Sequence, residues 1–508
     1  MLRSLLIVLF LSVTACAETQ VITVLHTNDM HGALLPQADF ESSGVRKPDR
    51  GGAARIATIL AAERASAEKE GRAVLVVDAG DIFHGTPEGN ETRGAAVIAW
   101  MNLVHYDALA LGNHDWAYGD ANLRSLRTQA KFEFLTCNVT KVDPTAATAP
   151  IIDYAKPYIV LSEKGVRVAL VGFTTPGTPA MNLPEHVAGL DFLPYVRQGA
   201  YYLKQARGES DVVIALSHLG SSSDEALARK VPGWDLIVGG HDHRTFHKGL
   251  EKSGTLIVQT GCDGAFVGRV DITWDRDTHR VVSRTARLIP VTSEVASDAA
   301  SEELIQKSVK GDLDKPFGTT ACFLGRGGPD SPLGCVLADA IRTGADADAA
   351  LLNSGGVRND LPAGPVTKRD LYMAAPFEDT LVTYRMTGAD LVRLLDGAYR
   401  DGSLEYPVSG LQFSYDGRKP AGERVVGLRV GGQEVDLAHA YVLATTRFAA
   451  ARLENDTVTR RVIAPEGVPL GRTDLAKTVQ ESLQKIFQGG IVVGPPDGKR
   501  VTFLGNRK

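Results

Sequence analysis

Ala73-Val74-Leu75-Val76-Val77-Asp78-Ala79-Gly80-Asp81 is the stretch on which the reading of the fold turns. The apolar run Ala73–Val77 is too short for a packed helix and fits a buried strand. It ends in a turn carrying two carboxylates. The same construction recurs: Val21–His26 leads into Asn28-Asp29-Met30-His31, and Ala108–Leu111 into Gly112-Asn113-His114-Asp115. Val212–Leu216 leads into Ser217-His218, and Leu236–Val238 into Gly240-His241-Asp242-His243. Val166–Phe173 and Thr255–Gln259 are further strands, and helical patterns lie between at Ala53–Glu70, Ala95–Val104, Asn122–Lys131 and Gly199–Gly208. Strands alternating with helices predict an α/β layered domain over residues 20–290. In such domains the chemistry sits at the carboxyl ends of the strands.

Those strand ends supply Asp29, His31, Asp81, Asn113, His114, His218, His241 and His243. Mixed imidazole and carboxylate donors suit zinc, manganese, iron or a similar divalent ion. Eight candidates exceed what one ion needs, so the set predicts two ions, with Asp81 as the bridging carboxylate. Such a pair lowers the pKa of a bridging water, orients a phosphoryl group and stabilises both attacking and leaving oxygens. Gly112 and Gly240 are expected to let the backbone turn sharply. On a continuing strand His241 and His243 would share a face. His26, His84, His105, His186, His247, His279 and His439 fall outside the pattern and read as packing or surface residues.

The 508 residues contain 55 basic and 60 acidic side chains, a net charge of −5, with 44% hydrophobic residues. That balance excludes a disordered chain and gives no basic surface for a nucleic acid polymer. Five cysteines exclude a disulfide scaffold, although Cys322 and Cys335 could close a loop. Cys137 and Cys262 read as small core residues. Residues 291–317 form a candidate linker with a helical pattern. A second unit over 318–508 has strands at Ala349–Leu352, Thr380–Met386, Leu411–Tyr415, Val425–Val430 and Ala440–Ala444. Its helices are expected at Leu333–Thr343, Gly388–Tyr399 and Asp474–Phe487.

Residues 1–17 have one arginine, a short apolar run Leu5–Val13 and small residues at the end, the pattern of an export signal. Val13-Thr14-Ala15-Cys16 resembles a lipobox, which would leave a lipid on Cys16; Ala15-Cys16-Ala17 also fits ordinary signal cleavage. The expectation is an exported protein, periplasmic or in the cell envelope, touching a membrane only through such an anchor.

Asp29-x-His31-Gly32, Gly80-Asp81, Gly112-Asn113-His114-Asp115 and Gly240-His241-Asp242-His243 resemble the signature of the calcineurin-like metallophosphoesterases. Thr27-Asn28-Asp29-Met30-His31-Gly32 and Leu216-Ser217-His218-Leu219-Gly220 narrow the resemblance to the bacterial 5′-nucleotidase/UDP-sugar hydrolase family. It implies an N-terminal α/β/β/α sandwich, a linker helix and a C-terminal α/β substrate-binding domain. It also implies that Asp29, His31, Asp81 and His243 hold one ion, that Asp81, Asn113, His218 and His241 hold the other, and that His114 is catalytic. Asn353-Ser354-Gly355-Gly356-Val357-Arg358 is similar to the family's substrate loop, where an arginine fork suits phosphate. Phe377 and Phe448 match its base-stacking aromatics, and Arg326 is a candidate second phosphate arginine.

Two departures stand out. The family string Gly-Asn-His-Glu-Phe-Asp ends in a carboxylate that orients the histidine; this chain has Ala117 there, leaving Asp115 or Asp120 as substitutes. Restoring Asp at 117 is therefore expected to raise kcat. After the second Phe the family carries Gly-Gly-Asp, whereas this chain reads Ala449-Ala450-Ala451-Arg452-Leu453-Glu454, with Glu454 at the Asp offset. The resemblance implies release of phosphate from nucleoside 5′-phosphates. The departures leave room for 2′,3′-cyclic nucleotide phosphodiester cleavage, UDP-sugar hydrolysis or thiosulfate-ester hydrolysis, and for a surface lipoprotein that binds nucleotide with little catalysis.

Overall fold

Val212–His218 is buried at all seven positions, as a strand covered on both faces must be. The computed structural model describes residues 18–504 apart from 42, 143–150, 309–310, 327–329, 400–405, 464–470, 489–491 and 495–497. The segment read as an export signal, Cys16 included, lies outside the described residues.

In chain order the strands of the first unit are β1 (Thr19–Thr27), β2 (Ala73–Asp78), β3 (Ala108–Ala110), β4 (Glu133–Leu135), β5 (Tyr158–Glu163) and β6 (Val166–Thr174). They continue with β7 (Val212–His218), β8 (Leu236–Gly239), β9 (Leu250–Lys252), β10 (Thr255–Val258), β11 (Phe266–Asp275) and β12 (Arg280–Pro290). Two six-stranded sheets result, ordered β12-β11-β1-β2-β3-β4 and β9-β10-β8-β7-β6-β5. In each, four neighbouring strands run parallel: β1 to β4 in the first, and β10, β8, β7 and β6 in the second. Antiparallel strands finish the edges.

The inner faces of the sheets share one apolar core, with Val24, Leu75 and Val77 from one side and Ile214, Leu216 and Val238 from the other. Each such fully buried aliphatic side chain contributes about 1.5–3 kcal/mol. Helix Ala53–Glu70 covers the outer face of the first sheet, and helices Tyr195–Glu209 and Ser221–Lys230 cover that of the second. This is the expected α/β/β/α sandwich. Helix Ala299–Ser308 occupies the linker segment and buries Ile305 in the first unit's core, so it is fastened to that unit.

The second unit centres on a mixed five-stranded sheet in the order Val408–Ser409, Ala349–Leu351, Ala440–Thr446, Thr380–Thr387, Arg472–Thr478. Helices Pro332–Gly344 and Val479–Phe487 pack on one face, and Gly388–Ala398 and Arg447–Asn455 on the other. The helix expected from Asp474 begins at Val479, because Thr478 caps it in a capping box with Glu481 and the residues before it pair as a strand. No disulfide joins Cys322 and Cys335; both are thiols. No helix among the described residues is long and apolar enough to cross a membrane.

Candidate metal centre

The carboxyl ends of β1, β2, β3, β7 and β8 meet at one edge of the sandwich. There Asp29, His31 and His243 form one group of donor atoms, and Asp81, His218 and His241 a second. A third group, His31, Asp81 and His114, overlaps both; within each group the donor atoms lie within 4.8 Å of one another. Asn113, next to His114, is buried beside them.

The backbone is bent to achieve this. Asp29, His31, Asp81, His241 and His243 all have positive φ, between 48° and 87°. Non-glycine residues rarely adopt that conformation, and strain of this kind concentrates at functional sites. β8 stops at Gly239, so His241 and His243 do not lie on a continuing strand; the turn aims them into different groups. Gly112 serves by its size: a Cβ there would lie 2.2 Å from Asp81 Oδ1. Gly240, whose φ is likewise not positive, would bring a Cβ within 3.1 Å of Asp29 Oδ2 and His218 Nδ1. Left-handed residues therefore make the sharp turns expected of these two glycines.

Hydrogen bonds from behind fix His218, His31 and Asp29. His218 Nδ1–H donates to the Ala79 carbonyl at 2.7 Å, and His31 Nδ1–H to the His84 carbonyl at 3.0 Å. Each bond leaves an Nε2 lone pair facing the centre. Asp29 accepts from Asn28 Nδ2 at 2.7 Å and from the His241 backbone at 2.9 Å.

The donor set fits divalent cations. His218 Nε2 stands 3.0 Å from Asp81 Oδ2 yet makes no hydrogen bond, and Asn113 Oδ1 is buried without a partner. Buried polar atoms are otherwise almost always paired, so these mark a place for an ion. With no cation in place, burial alone would lower the His218 pKa, but Asp81 and Asp29 push it up to about 10. Asp81, which burial would raise, is held well below its usual range by His218 and His114.

His114 donates its backbone N–H to Asp81 Oδ1 at 2.7 Å, and its ring meets His31 edge-on at 5.2 Å. His84, read from sequence as an ordinary histidine, is part of the site: its Nδ1 lies 3.1 Å from His114 Nδ1. Its position three residues after Asp81 is the one signal the sequence offers. His26 is buried in the strand as expected, its pKa lowered by burial to about 3.

Residues 22–245 match the calcineurin-like phosphoesterase family, and residues 316–459 match the 5′-nucleotidase C-terminal domain. A Vibrio cholerae 5′-nucleotidase is 28% identical, with 85% of each chain covered. A 5′-nucleotidase precursor of Thermus thermophilus is 27% identical and superposes with a TM-score of 0.81, covering 96% of this chain and 100% of that one. The sulfate thiohydrolase SoxB of Thermus thermophilus, 21% identical, shares the fold with a TM-score of 0.78 over 96% of this chain and 97% of its own. The chain belongs to the calcineurin-like phosphoesterases that carry a 5′-nucleotidase C-terminal domain. It is a metal-dependent phosphoester hydrolase.

As in a phosphoesterase of this kind, the second unit faces the metal loops. Arg358 Nη2 reaches within 3.4 Å of His31 Nε2. Phe377 stacks parallel to His114, with centroids 5.9 Å apart, and lies 5.0 Å from His84. Arg326 and Arg358 line one cleft with Arg50, His31 and His243. Asn353 is buried at the start of the turn that carries Arg358. Phe448 opens helix Arg447–Asn455, with its N–H bonded to the Asp379 carboxylate. Ala449–Ala451 continue that helix. Glu454, at the Asp offset, accepts hydrogen bonds from Tyr384 and Arg472 and so braces the fold. Asp115 accepts from the backbone N–H of Gly112, Asp81 and Ile82, and Asp120 bonds Tyr154; neither serves the His114 ring.

Proposed function

We propose that the protein is an exported phosphohydrolase that uses two divalent cations to release phosphate from nucleoside 5′-phosphates. The observation that carries this reading is the overlap of the donor groups, with Asp81 belonging to two of them. Asp29, His31, Asp81 and His243 would hold one cation, and Asp81, Asn113, His218 and His241 the other, with Asp81 between. Bound there, the cations would supply Lewis-acid activation of the phosphoryl group and of the attacking water. The Arg358 guanidinium lies beside His31, where it would bind a phosphate held at the metal loops. Asn353 and Arg326 flank it. His114 presents its ring where negative charge develops during transfer. Phe377 and Phe448 would hold the base, Phe377 extending the stack already formed with His114.

A second reading has an observation of its own. Glu454 is tied to Tyr384 and Arg472, and the helical residues Arg452 and Leu453 stand where the glycines were expected before it. A nucleoside pocket built on that loop is therefore altered, which favours a sibling ester: a UDP-sugar, a 2′,3′-cyclic nucleotide or a thiosulfate ester. The fold shared with a sulfate thiohydrolase keeps the last in view.

The deciding experiment measures product release from AMP, ATP, UDP-glucose, 2′,3′-cyclic AMP and a thiosulfate ester after metal removal and add-back of manganese or zinc. AMP or ATP as the best substrate supports the first reading, and UDP-glucose, 2′,3′-cyclic AMP or the thiosulfate ester the second. Tight nucleotide binding with no turnover of any ester would contradict both.

A further inference from the structure

We propose that His84 is the positioning residue of His114, doing from the β2 loop what a carboxylate at position 117 would otherwise do. The inference rests on the reading of His114 as catalytic. The two rings meet Nδ1 to Nδ1 at 3.1 Å. That approach accommodates one proton: one ring donates and the other accepts. His84 as donor leaves the His114 proton on Nε2, the nitrogen free to donate to an oxygen of the transferring group. Ring orientation and tautomer are fixed by a single contact, the task a partner performs for a catalytic imidazole.

Nothing else performs it. Among the described residues no carboxylate hydrogen-bonds to the His114 ring. Asp115 is committed to three backbone N–H groups, Asp120 is bonded to Tyr154 and lies 3.6 Å from Arg124, and residue 117 is alanine. His84 is itself held in place. Its ring lies between Tyr118, edge-on at 5.7 Å, and Phe377 at 5.0 Å. Its carbonyl accepts from His31 Nδ1, tying its backbone to the metal loop. Phe377 comes from the second unit and also stacks on His114, so the second unit packs over the imidazole pair.

The test is a set of variants assayed on whichever of the five esters the enzyme turns over fastest. His84→Ala is expected to lower kcat about 10–100-fold, the usual cost of removing an orienting partner, with KM within about twofold. His84→Gln, which keeps a donor, recovers part of the loss. Ala117→Asp added to His84→Ala recovers part of it, by holding His114 as an imidazolium through Nδ1–H, while Ala117→Asp alone changes kcat little, against the rise expected from sequence, because the Nδ1 position is taken. In a His114→Ala background, His84→Ala adds no further loss, since residues acting as a unit are not additive. A His114→Ala enzyme with full turnover would overturn the reading of His114 itself. With His114→Ala inactive, an unimpaired His84→Ala enzyme would overturn the positioning role alone. So would a His84→Ala loss of equal size in both backgrounds.

Discussion

His31 and His243 meet nitrogen to nitrogen, their Nε2 atoms 3.1 Å apart, with Asp29 Oδ1 3.4 Å from the His243 nitrogen. They come from the ends of two strands in different sheets. His31 already spends its Nδ1 proton on the His84 carbonyl, so a lone pair points at its neighbour. Two imidazoles and a carboxylate arranged this way make a cation site.

Asp81 belongs to two of the three donor groups. Asp81→Asn removes the charge while keeping the shape and the Oδ1 acceptor for the His114 N–H. The expected outcome is loss of at least half the bound metal. Turnover should fall by roughly a thousandfold or more, on the order of other losses of a central transition-state group. Elemental analysis beside steady-state kinetics checks it; full metal content with normal turnover would contradict the bridging role.

The two units are clamped by a buried ion pair. Arg369 bonds Glu88, whose side chain is 1% exposed, while Asn90 Nδ2 donates to the Pro376 carbonyl at 2.7 Å. Both contacts lie beside the loop that presents Phe377. Arg369→Met leaves a buried carboxylate unpaired, which costs about 3–5 kcal/mol. Thermal unfolding should fall by roughly 2–4 °C per kcal/mol, and KM should rise as Phe377 loses its anchor. Adding Glu88→Gln should recover most of the Tm. A single variant as stable as the parent would show that the pair is no clamp.

Asp224 is fully buried, accepts a hydrogen bond from Ser217, and has a second oxygen without a partner. Burial pushes its pKa up to about 8. The folded protein therefore holds a proton that the unfolded chain releases above its ordinary value of about 3.9. Stability falls as pH rises through that window and levels off above the folded value. Asp224→Asn, which mimics the neutral acid, should flatten this part of the Tm-against-pH curve, between about pH 5 and pH 8. An unchanged slope would show that the carboxyl is ionised in the fold.

Much of the site was legible because each donor sits directly after an apolar strand, and a strand end is a position that local sequence marks. Ala53–Glu70 was readable as a helix to its last residue for a similar reason: its apolar spacing runs unbroken up to Gly71, which has the left-handed conformation of a C-cap. His84 was not legible. Its role arises from a contact with His114, thirty residues away, and its nearness to Asp81 in the chain is too weak a mark to set it apart from a surface histidine. What Glu454 does at the Asp offset was not legible, because its partners Tyr384 and Arg472 come from neighbouring strands. The strand at Arg472–Thr478 is polar and read as helix; its pairing with Thr380–Thr387 decides it.

Metal stoichiometry is the most direct measurement of whether two cations share Asp81. Protein stripped with chelator, then titrated with manganese or zinc, should bind two ions per chain, regain phosphoester hydrolysis as they load, and release protons on binding as His218 gives up its own. One ion per chain at full activity, or activity undiminished after complete stripping, would contradict it.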